Sequence, residues 1–178
     1  DTPADAEIIA TPGETVYIVP DDRMADNLVF TEWEVTGGKG VELKYAADGT
    51  VSFIMPQSDE IVKITAQYAE LHAVTVKDGT AAHVNGDNLL IMNDGSLGAI
   101  EGDRITIKAK DKSAESKVFD QWKVTGDNVN LTRVNDDGSE ATFEMPNEAV
   151  EITAEYKKVH TVTVHSGDST QNFEDIKE

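Results

Sequence analysis

The sequence predicts a mainly β protein: two tandem small β-rich repeat domains, each a small sandwich or barrel, followed by the first strand of a third. Three observations carry this expectation. Apolar and polar residues alternate with a period of two, as in Val150, Ile152, Ala154 and Tyr156 against Glu151, Thr153 and Glu155. That period puts one face of a strand on a core and the other in water. Turn-forming clusters interrupt the alternation at short intervals. The same blocks then return in the same order about one domain length later, which is the mark of a tandem duplication.

Residues 1–7 carry no alternation, so the first unit, 1–71, is expected to lack an opening strand. Its first block, Gly13-Glu14-Thr15-Val16-Tyr17-Ile18, returns as Gly102-Asp103-Arg104-Ile105-Thr106-Ile107, an offset of 89. Phe30-Thr31-Glu32-Trp33-Glu34-Val35-Thr36-Gly37 returns at the same offset as Phe119-Asp120-Gln121-Trp122-Lys123-Val124-Thr125-Gly126. Val41-Glu42-Leu43 answers Val129-Asn130-Leu131, and Phe53-Ile54-Met55-Pro56 answers Phe143-Glu144-Met145-Pro146. Val62-Lys63-Ile64-Thr65-Ala66-Gln67-Tyr68 answers Val150-Glu151-Ile152-Thr153-Ala154-Glu155-Tyr156 at an offset of 88. The drift marks small loop insertions within a kept order.

The second unit, 72–159, is expected to be complete, with seven strands near 73–77, 88–92, 103–109, 117–125, 129–134, 140–145 and 149–156. Val74/Val76 and Ile105/Ile107/Ala109 mark buried faces. Thr36-Gly37-Gly38, Asn93-Asp94-Gly95-Ser96, Asp136-Asp137-Gly138-Ser139, Pro56 and Pro146 stand where strands stop. Phe119 and Trp122, like Phe30 and Trp33, are three residues apart and would point to opposite faces of a regular strand. A bulge near Phe30 and Phe119 is therefore expected. Asp111 to Lys117 is the best helical candidate, short and polar. His160-Thr161-Val162-Thr163-Val164 repeats His72-Ala73-Val74-Thr75-Val76 and opens a third unit, 160–178.

The 178 residues carry a formal charge of −19. This argues against nucleic acid, whose phosphates demand a basic surface, and against anionic membranes. The charge is spread: 14 acids against 4 bases in residues 1–71, 16 against 10 in 72–159, and 4 against 1 in 160–178. With no cysteine, disulfides, thiol catalysis and Cys-ligated zinc are excluded. The longest apolar runs are four residues, Val16 to Val19 and Leu89 to Met92, against the roughly 18 that a transmembrane helix needs. No basic-then-apolar leader opens the chain, which is expected of an intracellular protein or an excised mature fragment.

The block order, Gly-Glu/Asp before a short apolar strand, then Phe-x-x-Trp-x-Val, Phe-x-Met-Pro and Val-x-Ile-Thr-Ala-x-Tyr, resembles the divergent internalin-type B-repeats. These occur in tandem in surface and secreted proteins, mainly of Gram-positive bacteria. The resemblance covers 8–71 and 72–164. It implies a small β-rich module, β-grasp-like in better-known members, acting outside the cell as a spacer or adhesion unit without catalytic residues. One departure is 78–101, a long linker containing Leu89-Leu90-Ile91-Met92, expected to add a hairpin over the core edge.

Candidate chemistry has a structural competitor at each position. Trp33 and Trp122 suit sugar stacking, but their recurrence at one repeat position favours core packing. Met55 and Met145, each before a proline, read as packed strand ends. Asp21-Asp22, Asp136-Asp137-Gly138, and the turns Asn85-Gly86-Asp87-Asn88 and Asn93-Asp94-Gly95 invite calcium. None has the alternating ligand pattern of a calcium loop, and Asp-Gly is ordinary turn chemistry. His72, His83, His160 and His165 show no zinc spacing. No nucleophile elbow or phosphate-binding glycine loop is present. Lys108 or Lys123 could form a Lys–Asn cross-link, although lysines on water-facing strand positions are the default. No residue is assigned as catalytic, cofactor-binding or metal-ligating, and no cofactor is expected.

The expected function is that of a non-enzymatic extracellular repeat module, a spacer or adhesion segment of a bacterial, cell-wall-associated surface protein. Ala69-Glu70-Leu71 and Lys157-Lys158-Val159 would hold successive units in a semi-rigid line. The alternative is a carbohydrate- or host-protein-binding module, accessory to a secreted enzyme, with 78–101 in recognition. Expected partners are a cell-wall or host glycan or protein and neighbouring repeats. The edge of 160–165 is open to weak head-to-tail self-association.

Overall fold

The structure, a computed structural model, describes residues 8–47, 50–57, 60–126 and 129–160. The chain divides between Ala69 and Glu70 into two compact units. Residues 1–7 and the strand expected from Thr161 onward lie outside the described residues.

In the first unit, alternating residues build β1 (Thr15–Ile18), β2 (Leu28–Thr36), β3 (Lys44–Tyr45), β4 (Val51–Ile54) and β5 (Lys63–Glu70). β1, β4 and β3 form one antiparallel sheet in that order, with Val16 opposite Phe53 and Ile18 opposite Val51. β2 and β5 form a second, two-stranded sheet. Val51 and Phe53 are buried while Ile54 is exposed, the alternation that a sheet with one wet face requires.

The second unit contains β6 (His72–Lys77), β7 (Gly79–His83), β8 (Leu90–Ile91), β9 (Leu97–Ala99) and β10 (Arg104–Ala109). It continues with β11 (Lys117–Thr125), β12 (Thr132–Arg133), β13 (Glu140–Glu144) and β14 (Val150–Lys158). One sheet has the order β12-β13-β10-β7 and the other β11-β14-β6-β9-β8. β6 and β14 run parallel, from Val74 opposite Val150 to Lys77 opposite Thr153. The other pairs are antiparallel. Ile105, Ile107, Ala141 and Phe143 of the first sheet and Val74, Val150 and Ile152 of the second share one buried cluster with Leu89, Ala99 and Met145. Two sheets over one core make a sandwich-like unit, and no α-helix crosses either sheet among the described residues.

The long segment 78–101 supplies strands to both sheets. The expected hairpin is β8–β9, at the edge of the five-stranded sheet. β7, Gly-Thr-Ala-Ala-His, lies outside the expected strands because its small residues show no alternation. Tertiary packing places it: a Cβ on Gly79 would stand 2.7 Å from Val76 Cγ1 and 2.8 Å from the Lys108 carbonyl oxygen. The helical candidate 111–117 is a 3-10 turn, Ser113–Glu115, closed by Ser116 at φ 55. The equivalent turn Met24–Asp26 ends at Asn27, φ 57.

Candidate functional site: a repeated aromatic triad

β11 and β14 lose one residue of register between Phe119 and Gln121. Asp120 is the extra residue of this bulge, which turns Phe119 and Trp122 to the same side, as the three-residue spacing demands. Their ring centroids lie 5.3 Å apart, and Tyr156, paired with Phe119 across the strands, meets the Phe119 ring edge-on at 6.2 Å. The first unit repeats the arrangement: Phe30–Trp33 at 5.3 Å and Phe30–Tyr68 at 6.1 Å. Such tilted and edge-on contacts favour aromatic quadrupoles over face-to-face stacking.

The polar ends of the rings are tied to backbone. Trp122 donates from Nε1 to the Gly138 carbonyl at 3.0 Å. Tyr156 donates from its hydroxyl to the Lys110 carbonyl at 2.7 Å, with the Asp78 carbonyl at 3.0 Å beside it. Tyr68 donates to the Asp21 carbonyl at 2.9 Å. Asp21 is the repeat counterpart of Lys110, so both units close the loop before the 3-10 turn in the same way. A cation covers each tyrosine: Lys112 Nζ 4.6 Å from the Tyr156 centroid, and Arg23 Cζ 5.6 Å from that of Tyr68.

Beside Tyr156 an open cleft of about 320 Å³ is lined by Lys110, Lys112, Lys117, Phe119, Asp137 and Tyr156 among others. Two of these three lysines are engaged in ion pairs. Lys112 pairs with Asp78 at 2.8 Å and Lys117 with Glu115 at 2.6 Å. The Lys112 hydrogen bond holds the Asp78 carboxyl below its ordinary range and raises the Lys112 ammonium in return. The Lys117 bond lowers Glu115, and burial raises the Tyr156 phenol, which keeps it a donor. Locking the loop onto the sheet is what this arrangement can do chemically.

Other candidate residues fall into packing or surface roles. Trp33 and Trp122 are half-buried, and Trp122 packs against the buried cluster. Met145 is 1% exposed, and Met55 is half-buried at the equivalent strand end. The acidic turns close on themselves. Asp137 accepts from the Ser139 amide and hydroxyl at 2.9 and 2.8 Å, Asp94 from those of Ser96 at 2.9 and 2.6 Å, and Asp22 from the Met24 amide at 3.0 Å. These bonds hold Asp137 and Asp94 below the usual carboxylate value. Among the described residues no three His, Asp or Glu side chains gather to hold an ion. His83 lies 3.9 Å from Asp103, His72 stands in β6 and His160 is exposed, so the structure does not bring them together. His165 is outside the described residues. Lys108, 3.2 Å from Glu140, and Lys123 are both exposed.

The triad's partners were only half visible in sequence. The Phe, Trp and Tyr recur in the repeat, but their backbone acceptors are identified by no residue type.

Residues 72–160 match the family model of the divergent InlB B-repeat domain. Searches of the curated proteins and of the solved structures return no match. The family is associated with surface proteins, and no helix among the described residues is long and apolar enough to cross a membrane. Spanning half of the chain and coinciding with the complete sandwich and its aromatic triad, the match shows that the chain belongs to the divergent InlB B-repeat family.

Proposed function

We propose that this chain is a non-enzymatic extracellular spacer or adhesion segment of a bacterial surface protein. The observation that carries the reading is the duplicated triad. The aromatic rings best suited to a ligand are spent on each unit's own packing, with Trp122 and both tyrosines fastened to backbone carbonyls. The remaining surface is acidic, which keeps successive modules soluble and apart. Stretching the full chain in a force spectrometer should give two separate unfolding events. The second unit should release a contour length on the order of 300 Å, from about 3.3–3.6 Å per extended residue. One merged event, or smooth extension at low force, would remove the spacer reading.

The β8–β9 hairpin favours a second reading as a carbohydrate- or host-protein-binding module. Ile91 and Leu97, paired across the hairpin, are 67% and 39% exposed, which sets two apolar side chains side by side on one of its faces. Binding on a glycan or extracellular-protein array that disappears when 85–98 is shortened would establish it in place of the spacer.

A further inference from the structure

β7 hands the chain on toward β8 through a turn at Val84-Asn85-Gly86-Asp87, all four residues exposed. Two main-chain bonds close it: the Gly86 amide donates to the His83 carbonyl at 2.8 Å, and the His83 amide donates to the Asp87 carbonyl at 2.9 Å. The Asn85 side chain fastens both its ends to Asp87. Its Oδ1 accepts from the Asp87 amide at 3.0 Å, and its Nδ2 donates to the Asp87 carboxylate at 2.7 Å. Just beyond the turn Leu89, 4% exposed, enters the core.

The chain holds nine asparagines, and Asn85 is the only one followed by glycine. The main-chain nitrogen after an asparagine can attack its Cγ and close a five-membered imide, and a side chain on that next residue crowds the attack. Gly86 has nothing within 4 Å of the place a Cβ would occupy, so solvent base reaches its amide. The Asp87 amide already points at Asn85 Oδ1. Negative charge gathers on that oxygen in the tetrahedral intermediate, and a donor placed there in advance stabilises it. The turns Asp94-Gly95 and Asp137-Gly138 share the following glycine. Their side chains are carboxylates held by amide and hydroxyl donors, and an ionised carboxylate resists a nucleophile.

We infer that Asn85 is a site of spontaneous deamidation, and that its product opens the turn between β7 and β8. The Gly86 amide gives up its bond to His83, and hydroxide takes its proton. The nitrogen bonds to Asn85 Cγ, and Nδ2 takes a proton from water and leaves as ammonia. Water then adds to either carbonyl of the imide and breaks one C–N bond, giving aspartate or isoaspartate. The net change is amide and water to carboxylic acid and ammonia. Either product sets a second carboxylate where Nδ2 now donates to Asp87 at 2.7 Å, so an attraction becomes a repulsion. Isoaspartate also adds a carbon to the main chain, which spoils the spacing of both bonds that close the turn at His83. β7 is the edge strand of its sheet and pairs His83 with Ile105 at this end. With the turn open, the strand frays from there.

Peptide mapping by mass spectrometry tests this on the full chain, kept folded in warm, mildly alkaline buffer. The peptide containing Asn85 should gain about 1 Da and split into aspartate and isoaspartate forms before any other asparagine changes, faster as pH rises. Gly86→Ala should slow the gain about tenfold or more, because its methyl crowds the attacking nitrogen. Amide exchange in β7 should quicken about fivefold or more in the modified chain, with β14 unchanged. Asn85→Gln, aged alongside, should keep the exchange of fresh protein. An Asn85 peptide of unchanged mass, another asparagine changing first, or an aged chain whose β7 exchanges as slowly as the fresh one would each overturn the inference.

Discussion

Trp122 donates its indole N–H to the carbonyl oxygen of Gly138 at 3.0 Å, whereas the buried Nε1 of Trp33 has no hydrogen-bond partner among the described residues. The connection supplying the acceptor differs between units. Ala46 donates to Thr50 across 47–49, while Val134 donates to Glu140 across 135–139, two residues longer. Replacing Trp122 by Phe should therefore cost the bond, about 1 kcal/mol, in addition to the lost ring area. Trp33→Phe removes an unpaired donor and should be nearly neutral. Amide hydrogen exchange in β14 and β5 reads the two units separately, and equal losses would refute the asymmetry.

Truncation should be graded by cover. Ile152, fully buried, should lose about 3–4 kcal/mol on replacement by Ala. Ile64, its half-buried counterpart, should lose roughly half as much because part of its surface is already wet. Urea unfolding followed by exchange in the same two strands measures both.

At Gly79 an added methyl would meet a backbone oxygen at 2.8 Å, which cannot rotate away. Gly79→Ala should cost about 2–3 kcal/mol, in the overpacking range. Gly102→Ala is the contrast: its Cβ meets nothing within 4 Å, but its φ is 84, so only the left-handed backbone penalty of about 1–2 kcal/mol applies. Thermal or urea midpoints of the two variants should rank in that order.

The Asp78–Lys112 pair predicts a pH signature. Asp78 is lowered below 3.8 by the Lys112 hydrogen bond. Its contribution is therefore present above the unfolded value and lost as pH falls through the folded one. Lys112 is raised above 10.5, so its contribution holds below that value and fades as pH climbs past it. The urea midpoint of Asp78→Asn should lie below that of the parent at pH 7, and the gap should start to close only as pH falls below about 3.8. A difference that persisted in acid would show that the pair is not its source.

Local information decided a great deal. Alternation located β10, β11, β13 and β14 within a residue or two, because a strand with one wet face must repeat with period two. The Phe-x-x-Trp spacing required the bulge, since only an extra residue sets those rings on one side. The repeat showed which residues each unit needs.

Partner choice was decided only in three dimensions. Nothing local joins Val74 to Val150 in a parallel pair, because strand pairing is chosen by which apolar faces can be buried together across 76 residues of chain. β7 is a strand through close packing at Gly79, not through any pattern of its own. The half-buried state of Ile64 beside the full burial of Ile152 also belongs to the tertiary structure. The two isoleucines occupy the same place in the same motif, and the period-two pattern alone gives both the same inward position.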